Sequence, residues 1–168
     1  ELARQAGVDA VLVRDPALLA WPGLFPGLSF HLSTQGCATN AADVAAARRL
    51  GLSRVVLARE LSLPEIAAAA GVPGIETEVF VQGALCYGVS GRCLLSSWGG
   101  GRSGNRGLCA SPCRVPWRVG EHGPGQVLSM RDLSAVDRLE ELSRAGVTAI
   151  KIEGRMKNAA WVAAAVHL

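Results

Sequence analysis

The chain has 168 residues, of which 49% are hydrophobic and 18% are charged, and its formal net charge is +3. This much apolar material supports a substantial core and excludes an intrinsically disordered chain, while so small a net charge does not by itself indicate a nucleic-acid partner. Charges, Gly or Pro interrupt every apolar run before it could span a bilayer, so we expect a soluble, cytoplasmic protein with no membrane contact.

A short sequence pattern at the start of the chain recurs several times along it. "ELARQAGVDAVLV", which starts at Glu1, is typical of a helix end, a glycine and a strand, and its lack of an initiator Met or leader-like segment favours a fragment. The same order surrounds Gly51, Gly71 and Gly146, as it does Gly7. Glycine just past a helix supplies a left-handed C-cap, and short, continuously apolar runs are typical of parallel strands covered on both faces. The repeated unit predicts helix, loop and buried strand.

Six strands are predicted in chain order, with helices between them. They cover residues 10–14, 29–33, 54–59, 76–81, 126–129 and 148–153. Three helix starts carry a capping residue three positions before an acidic one, as in a capping box. These pairs are Asn40 with Asp43, Ser62 with Glu65, and Ser134 with Asp137. Strands that alternate with helices predict an α/β architecture built on a parallel sheet.

Polar residues collect where several predicted strands end. They are His31, Ser33, Gln35, Arg59, Glu60, Lys151, Glu153 and Arg155. This pattern is typical of a TIM barrel, whose active site lies at the carboxyl ends of its strands. The sequence has no G-x-G-x-x-G motif after a strand, so nothing in it indicates a Rossmann dinucleotide site. A complete barrel needs about 250 residues. We therefore predict that residues 1–168 form the C-terminal part of one TIM-like barrel domain whose first strands precede Glu1.

The stretch "IKIEGR" places charges at alternating positions of the last predicted strand. Period-two alternation puts Lys151 and Glu153 on one face, with Arg155 continuing it, and directs Ile150 and Ile152 towards the helices. Charged groups inside a barrel are costly unless they are paired or used. Two interpretations stay open: a structural network of ion pairs, or a site in which Lys151 and Arg155 bind an anion and Glu153 orients them.

The alternation stops between residues 94 and 124, in a stretch rich in Gly, Arg, Ser and Pro. We treat residues 83–125 as an inserted cysteine segment, because it holds four of the five cysteines as C-x6-C-x15-C-x3-C. They are Cys86, Cys93, Cys109 and Cys113, while Cys37 stands alone. Disulfides are disfavoured without secretory features, and unrelated core thiols remain open. Metal ligation is favoured, and the spacing leaves zinc and an iron-sulfur cluster as alternatives.

Residues 78–96 read E-x-F-x2-G-A-L-C-x4-G-x-C-x-L-S, which resembles the characteristic segment of the collagenase-like peptidase family 32 of unknown catalytic type. Four further segments resemble the same family, so the similarity covers almost the whole chain. They are "HLSTQ" at 31–35, "RVVLAREL" at 54–61, "NRGLCASPCR" at 105–114 and "IKIEGRMKNAAWVAAAV" at 150–166. The resemblance implies a TIM-like barrel. It also implies kinship with bacterial proteins that hydroxylate RNA bases or the ubiquinone ring without molecular oxygen, and characterised hydroxylating relatives carry an iron-sulfur cluster on four cysteines.

The resemblance therefore implies a 4Fe-4S protein that hydroxylates a base of tRNA or rRNA, with Cys86, Cys93, Cys109 and Cys113 as ligands. Cys37 replaces an expected Asn and is interpreted as a spare thiol. The candidate catalytic residues are His31, Glu60, Lys151, Glu153 and Arg155. The residues expected to bind RNA or a small anionic oxygen donor are Gln35, Arg59, Arg102, Arg106 and Arg114, with Trp98 and Trp117 able to stack on bases.

Two alternative functions stay open: a collagenase-like peptidase and hydroxylation in the ubiquinone pathway. The sequence has neither a G-x-S-x-G elbow nor an H-E-x-x-H helix, which disfavours two common peptidase classes. A nucleophilic pair such as Cys86 with His31 remains open, because the members of a catalytic triad meet in space rather than in sequence.

Overall fold

The protein is built on a single sheet, which a computed structural model describes for residues 1–155 and 157–167. Met156, inside the "KIEGRMK" motif, and Leu168 lie outside the described residues. The strands are β1 (Ala10–Val13), β2 (Ser29–Leu32), β3 (Arg54–Val56), β4 (Glu76–Ala84), β5 (Asp132–Ser134) and β6 (Ala149–Glu153). The α-helices are α1 (Leu2–Gln5), α2 (Ala41–Arg49), α3 (Leu63–Ala70), α4 (Leu95–Gly100), α5 (Leu139–Arg144) and α6 (Ala159–Val166).

The strands β1, β2, β3, β4 and β6 are neighbours in that order and are all parallel. The short β5 pairs antiparallel with the end of β4, at Gln82, Gly83 and Ala84. Since β5 and β6 both pair with Gln82 and Gly83, they lie on opposite edges of β4, and β5 occupies the place beyond the end of β3. The described sheet is open, and its parallel-rich α/β architecture is consistent with a partial barrel.

One face of the sheet carries the hydrophobic core. Val13, Phe30, Val55 and Val79 come from four parallel strands and are almost completely buried, together with Leu142 of α5. Burial of such side chains contributes roughly 1.5–3 kcal/mol each. The helices that follow the strands cover this face, as the repeated sequence unit predicts.

Two of the three predicted helix starts are confirmed. The side chain of Asn40 accepts the backbone N–H of Asp43 at 3.0 Å, and both the N–H and the hydroxyl of Ser62 donate to the carboxylate of Glu65. The third prediction is wrong: Ser134 belongs to β5, and α5 begins only at Leu139, after one 3-10 turn (Val136–Arg138) that has no side-chain cap.

Three other local predictions also fail. Residues 126–129 form a turn closed by a hydrogen bond from Ser129 N–H to Gln126 O, so the predicted strand there is wrong and β5 forms further along. Gly71 has φ −69°, and the left-handed conformation falls instead on Gly74, at +76°. Ile150 is 53% exposed because β6 is the outermost strand on its side, although Ile152 packs against the core.

None of the helices in residues 1–155 and 157–167 combines the length and apolar character needed to cross a lipid bilayer.

Candidate functional site

Glu78 is the centre of an ion network on the sheet. One carboxylate oxygen of Glu78 lies 3.3 Å from Nη1 of Arg54, and the other lies 2.8 Å from Nζ of Lys151. Arg54 also binds Glu76, at 2.6 Å. Glu78 is only 7% exposed, and a buried carboxylate is costly unless it is paired and hydrogen-bonded. Lys151, predicted as a catalytic residue, therefore serves here as an ion-pair partner of Glu78.

His31 lies beside this network, because its position on β2 is in register with Arg54 on β3. Burial, followed by the positive charge of Arg54, holds the pKa of His31 below its usual value. A neutral imidazole can accept a proton, and the catalytic role of His31 stays a prediction. The hydrogen bonds of the described residues include none between His31 and a cysteine, so the pair of Cys86 and His31 is not formed as a nucleophile and base.

A small recess lies at the carboxyl ends of β3 and β4. Its lining includes Arg59, Gln82, Leu85 and Glu153, and its volume of about 10 Å³ is close to the space of one water molecule. Nε of Arg59 and Oε1 of Gln82 are both buried without a hydrogen-bond partner in the described residues. Since an unpaired buried polar group costs about 1–3 kcal/mol, the recess is a place where one water molecule would be bound.

Ser90 holds the cysteine segment against the strand ends. Its N–H donates to the Glu60 carboxylate at 2.6 Å, and its hydroxyl oxygen accepts the backbone N–H of Arg59 at 3.5 Å. The next residue, Gly91, has φ +73°, and a Cβ there would lie 2.3 Å from the carbonyl oxygen of Gln35. Glu60 was predicted as a catalytic residue and Gln35 as a substrate-binding residue. Both contact the cysteine segment here, Glu60 through its carboxylate and Gln35 through its backbone carbonyl.

All five thiols are free of disulfides. Burial raises the pKa of Cys113, and the neighbouring Cys86 and Cys109 raise it further. Burial also raises the pKa of Cys109, but hydrogen bonds from the N–H of Ser111 (3.3 Å) and the hydroxyl of Ser96 (3.7 Å) outweigh it and leave that pKa below its usual value. Cys86, Cys109 and Cys113 are therefore electrostatic neighbours.

Cys93 and Cys37 have separate surroundings. Cys93 packs against Gly88, where a Cβ would lie 3.2 Å from the sulfur, so glycine is required for this approach. Cys37 has a left-handed backbone (φ 59°), and its side chain raises the pKa of the neighbouring Arg92. Within the described part of the chain, no three His, Cys, Asp or Glu side chains are arranged to hold a metal ion. The ligand set of four cysteines accordingly stays a prediction.

The arginines of the cysteine segment have different surroundings. The guanidinium of Arg114 donates to the carbonyl oxygens of Leu85 and Met130 and to the hydroxyl of Ser129, so it joins three parts of the fold. Arg102 donates from Nε to the carbonyl oxygen of Leu108, at 3.0 Å, and stays exposed, as does Arg106. Arg114 is thus a structural residue, whereas Arg102 and Arg106 remain available for a partner.

Glu153 and Arg155 link the recess to the cysteines. The Glu153 carboxylate lines the recess and accepts the backbone N–H of Arg155 at 2.9 Å. The Arg155 side chain is exposed, and its positive charge is close enough to lower the pKa of Cys109, after the contributions of burial and the hydrogen bonds. The structure therefore brings these two predicted residues towards the same end of the sheet as the cysteines.

Three important residues were not predicted as site residues: Glu78, Gln82 and Ser90. A signal for Glu78 and Gln82 was available, because both alternate along β4 with the apolar Val79 and Val81. Ser90 had no such signal, since its burial results from a loop that folds back on distant strand ends.

The sequence model that describes peptidase family U32 matches residues 1–168 of the chain. The chain belongs to peptidase family U32. A solved U32 peptidase, Mk0906, has the same fold, with a TM-score of 0.54 and 19% identity over 90% of this chain and 56% of that protein.

Curated relatives of this U32 chain carry several names. It is 33% identical to tRNA hydroxylation protein P of Escherichia coli K12, over 92% of this chain and 46% of that protein. It is 37% identical to the 23S rRNA 5-hydroxycytidine C2501 synthase of the same organism, over 94% and 25%. It is 32% identical to a collagenase of Porphyromonas gingivalis, over 96% and 43%. The chain spans less than half the length of these relatives.

Proposed function

We propose that this U32 chain forms part of an enzyme that hydroxylates a base of tRNA or rRNA without molecular oxygen. The observation that carries the proposal is the identity of 33–37% to proteins named for tRNA and rRNA hydroxylation, across more than nine-tenths of the chain. The position of the cysteines and the recess at one end of the sheet supports it, because parallel α/β folds bind ligands at the carboxyl ends of their strands.

The chemistry of four thiols in one segment favours an iron-sulfur cluster as the ligand that they would hold. Cys86, Cys93, Cys109 and Cys113 would hold it, since the four free thiols share one segment and the N–H of Ser111 already donates to the sulfur of Cys109. Hydrogen bonds to the sulfurs are a normal feature of such sites. When bound, a cluster supplies electron-transfer chemistry that side chains lack. Zinc is the alternative occupant of the same thiols.

The chain's own residues would bind and orient the reactants. Exchange of a base C–H for C–OH removes two electrons from the base, so an oxygen donor must be reduced by two electrons as it delivers its oxygen. Arg59 and Gln82 would bind a polar group of this donor, because Nε of Arg59 and Oε1 of Gln82 face the recess without partners. Arg155, near Cys109, would hold an anionic group. His31 instead lines a separate cavity with Ser29 and Ser53, at the amino ends of the strands.

The test uses the complete protein, purified without air and analysed for iron and sulfide. Cys86→Ser and Cys109→Ser variants are expected to lose iron, while Cys37→Ser, a matched thiol outside the predicted ligand set, keeps it. Mass spectrometry of tRNA and rRNA from a deletion strain should show a missing hydroxylated nucleoside, restored by wild type and by Cys37→Ser. Unchanged RNA in the deletion strain, together with cleavage of gelatin by the pure protein, would favour the peptidase instead.

A further inference from the structure

The positive charge of the chain is concentrated in the cysteine segment. Between Glu78 and Glu121 there are five arginines and no acidic residue. The whole chain has 17 basic and 14 acidic residues, so 12 basic and 14 acidic residues remain elsewhere, a net charge of −2 outside this stretch. A polyanion would therefore be attracted to this segment rather than to the rest of the surface.

An exposed tryptophan lies in the middle of this charge. Trp98, on α4, is 79% exposed, although large aromatic side chains usually bury most of their surface. Arg102 is fixed beside α4, because its N–H donates to the carbonyl oxygen of Ser96 and its carbonyl oxygen accepts the hydroxyl of Ser97. Arg106 follows in the 3-10 turn Gly104–Arg106 and is also exposed. We call Trp98, Arg102 and Arg106 the Trp98 face.

The Trp98 face is joined to the predicted cluster ligands by one buried residue. Ser96, two positions before Trp98, accepts the N–H of Ala110 at 3.0 Å and donates its hydroxyl to the sulfur of Cys109 at 3.7 Å. These hydrogen bonds link α4, which carries Trp98, to the loop that carries Cys109.

We infer that the Trp98 face is the RNA-docking surface of the protein. Trp98 stacks on an unpaired base, and Arg102 and Arg106 bind the adjoining phosphates. Exposed aromatic rings stack on single-stranded bases of any sequence, and guanidinium groups match phosphate oxygens, so this combination is typical of RNA-binding surfaces. A protein partner would need acidic side chains placed opposite both arginines, whereas RNA carries a phosphate at every nucleotide. The inference rests on the proposed RNA substrate and assigns where that substrate is held.

The test measures binding of a fluorescein-labelled tRNA transcript to the complete protein by fluorescence anisotropy. Trp98→Ala should weaken binding about tenfold, with the salt dependence unchanged, because one stacked base is lost. Arg102→Gln with Arg106→Gln should weaken binding and reduce the slope of log K against log salt by about 2, one for each phosphate contact. Trp98→Phe should recover most of the binding, since phenylalanine also stacks.

Trp21→Ala is the matched control. Trp21 is also exposed (41%), but the adjoining Pro22 packs against Gly51, ahead of the amino end of β3. This variant should bind tRNA as wild type does. Wild-type binding by Trp98→Ala and by the double arginine variant would overturn the docking surface, while RNA modification in cells would still support the hydroxylase. If the wild-type protein bound no tRNA or rRNA and the deletion strain kept its modified bases, both proposals would fall.

Discussion

The helix-covered core of the sheet and the cysteine segment are stabilised in different ways. In the core, side chains such as Val44, Val55 and Phe30 are buried and apolar. In the described residues 85–125 the buried side chains are Ser90 and Ser96, both hydroxyls engaged in hydrogen bonds to distant backbone or sulfur. A hydrogen bond contributes about 1 kcal/mol net, less than a buried Val or Phe. The core therefore supplies most of the free energy of folding, while the cysteine segment can change conformation around a ligand at a small cost in free energy.

The largest expected loss of stability is at Gly83, where the sheet core meets the cysteine segment. It has φ +110°, and a Cβ there would lie 2.1 Å from the carbonyl oxygen of Glu153, which is backbone and cannot move aside alone. Gly83→Ala should therefore lower the free energy of unfolding by at least about 3 kcal/mol, measured by urea denaturation. Gly99→Ala is the control, since Gly99 lies in α4 with no atom near, and should be neutral or stabilising by up to about 1 kcal/mol. An equal loss of unfolding free energy in both variants would contradict the stronger packing constraint expected at Gly83.

Lys151→Met tests the ion network on the core side. Removal of Nζ leaves the buried Glu78 carboxylate with Arg54 alone, so the free energy of unfolding should fall by about 2 kcal/mol. Arg155→Met, at an exposed position, should leave thermal unfolding unchanged but reduce RNA modification by the complete protein. Loss of modification by Lys151→Met at unchanged stability would instead make Lys151 a substrate-binding residue.

Glu60→Ala should loosen the cysteine segment without unfolding the core. The variant loses the charged acceptor of the Ser90 N–H, a bond that contributes about 1.5–3 kcal/mol. We expect faster tryptic cleavage after Arg92, with the thermal midpoint of the sheet changed little. Glu140→Ala, which removes an exposed carboxylate on α5, is the control and should be cleaved like wild type. A fall in the thermal midpoint with no change in cleavage would show that the segment is as cooperative as the core.

The smallest effect concerns His31. Its pKa is lower in the folded protein than in the unfolded chain, chiefly through burial. The unfolded state therefore binds more protons, and the stability present above about pH 6.5 is lost as the pH falls through that value and below. His31→Gln should show a smaller decrease in thermal midpoint between pH 7.5 and pH 5.5 than wild type. An identical decrease in the two proteins would show that His31 is not protonated differently on unfolding.

Some local features could be predicted from the sequence, but others were overridden by distant pairing, as at Ser134, which pairs with Gln82 instead of capping a helix. Asn40 and Asp43 form their cap because both groups lie within one helical turn. The strand expected at residues 126–129 failed because β5 forms where β4 extends beyond β3, a condition that no local pattern contains. Similarly, the motif around Cys86 indicated a shared cysteine segment, but its attachment through Ser90 to Glu60 depends on a contact 30 residues away.

The pairing of β4 with β6 determines how late in synthesis the sheet can be completed. Thr148 bonds to the backbone of Thr77 across 71 residues, and the whole cysteine segment lies in the loop between these two strands. Such long-range contacts slow folding, because the chain must close a large loop before the pairing is rewarded. The effect on stability is smaller, because doubling the length of a flexible loop adds only about 0.6 kcal/mol to the free energy of closing it. Insertions into the cysteine segment should thus delay folding far more than they reduce stability.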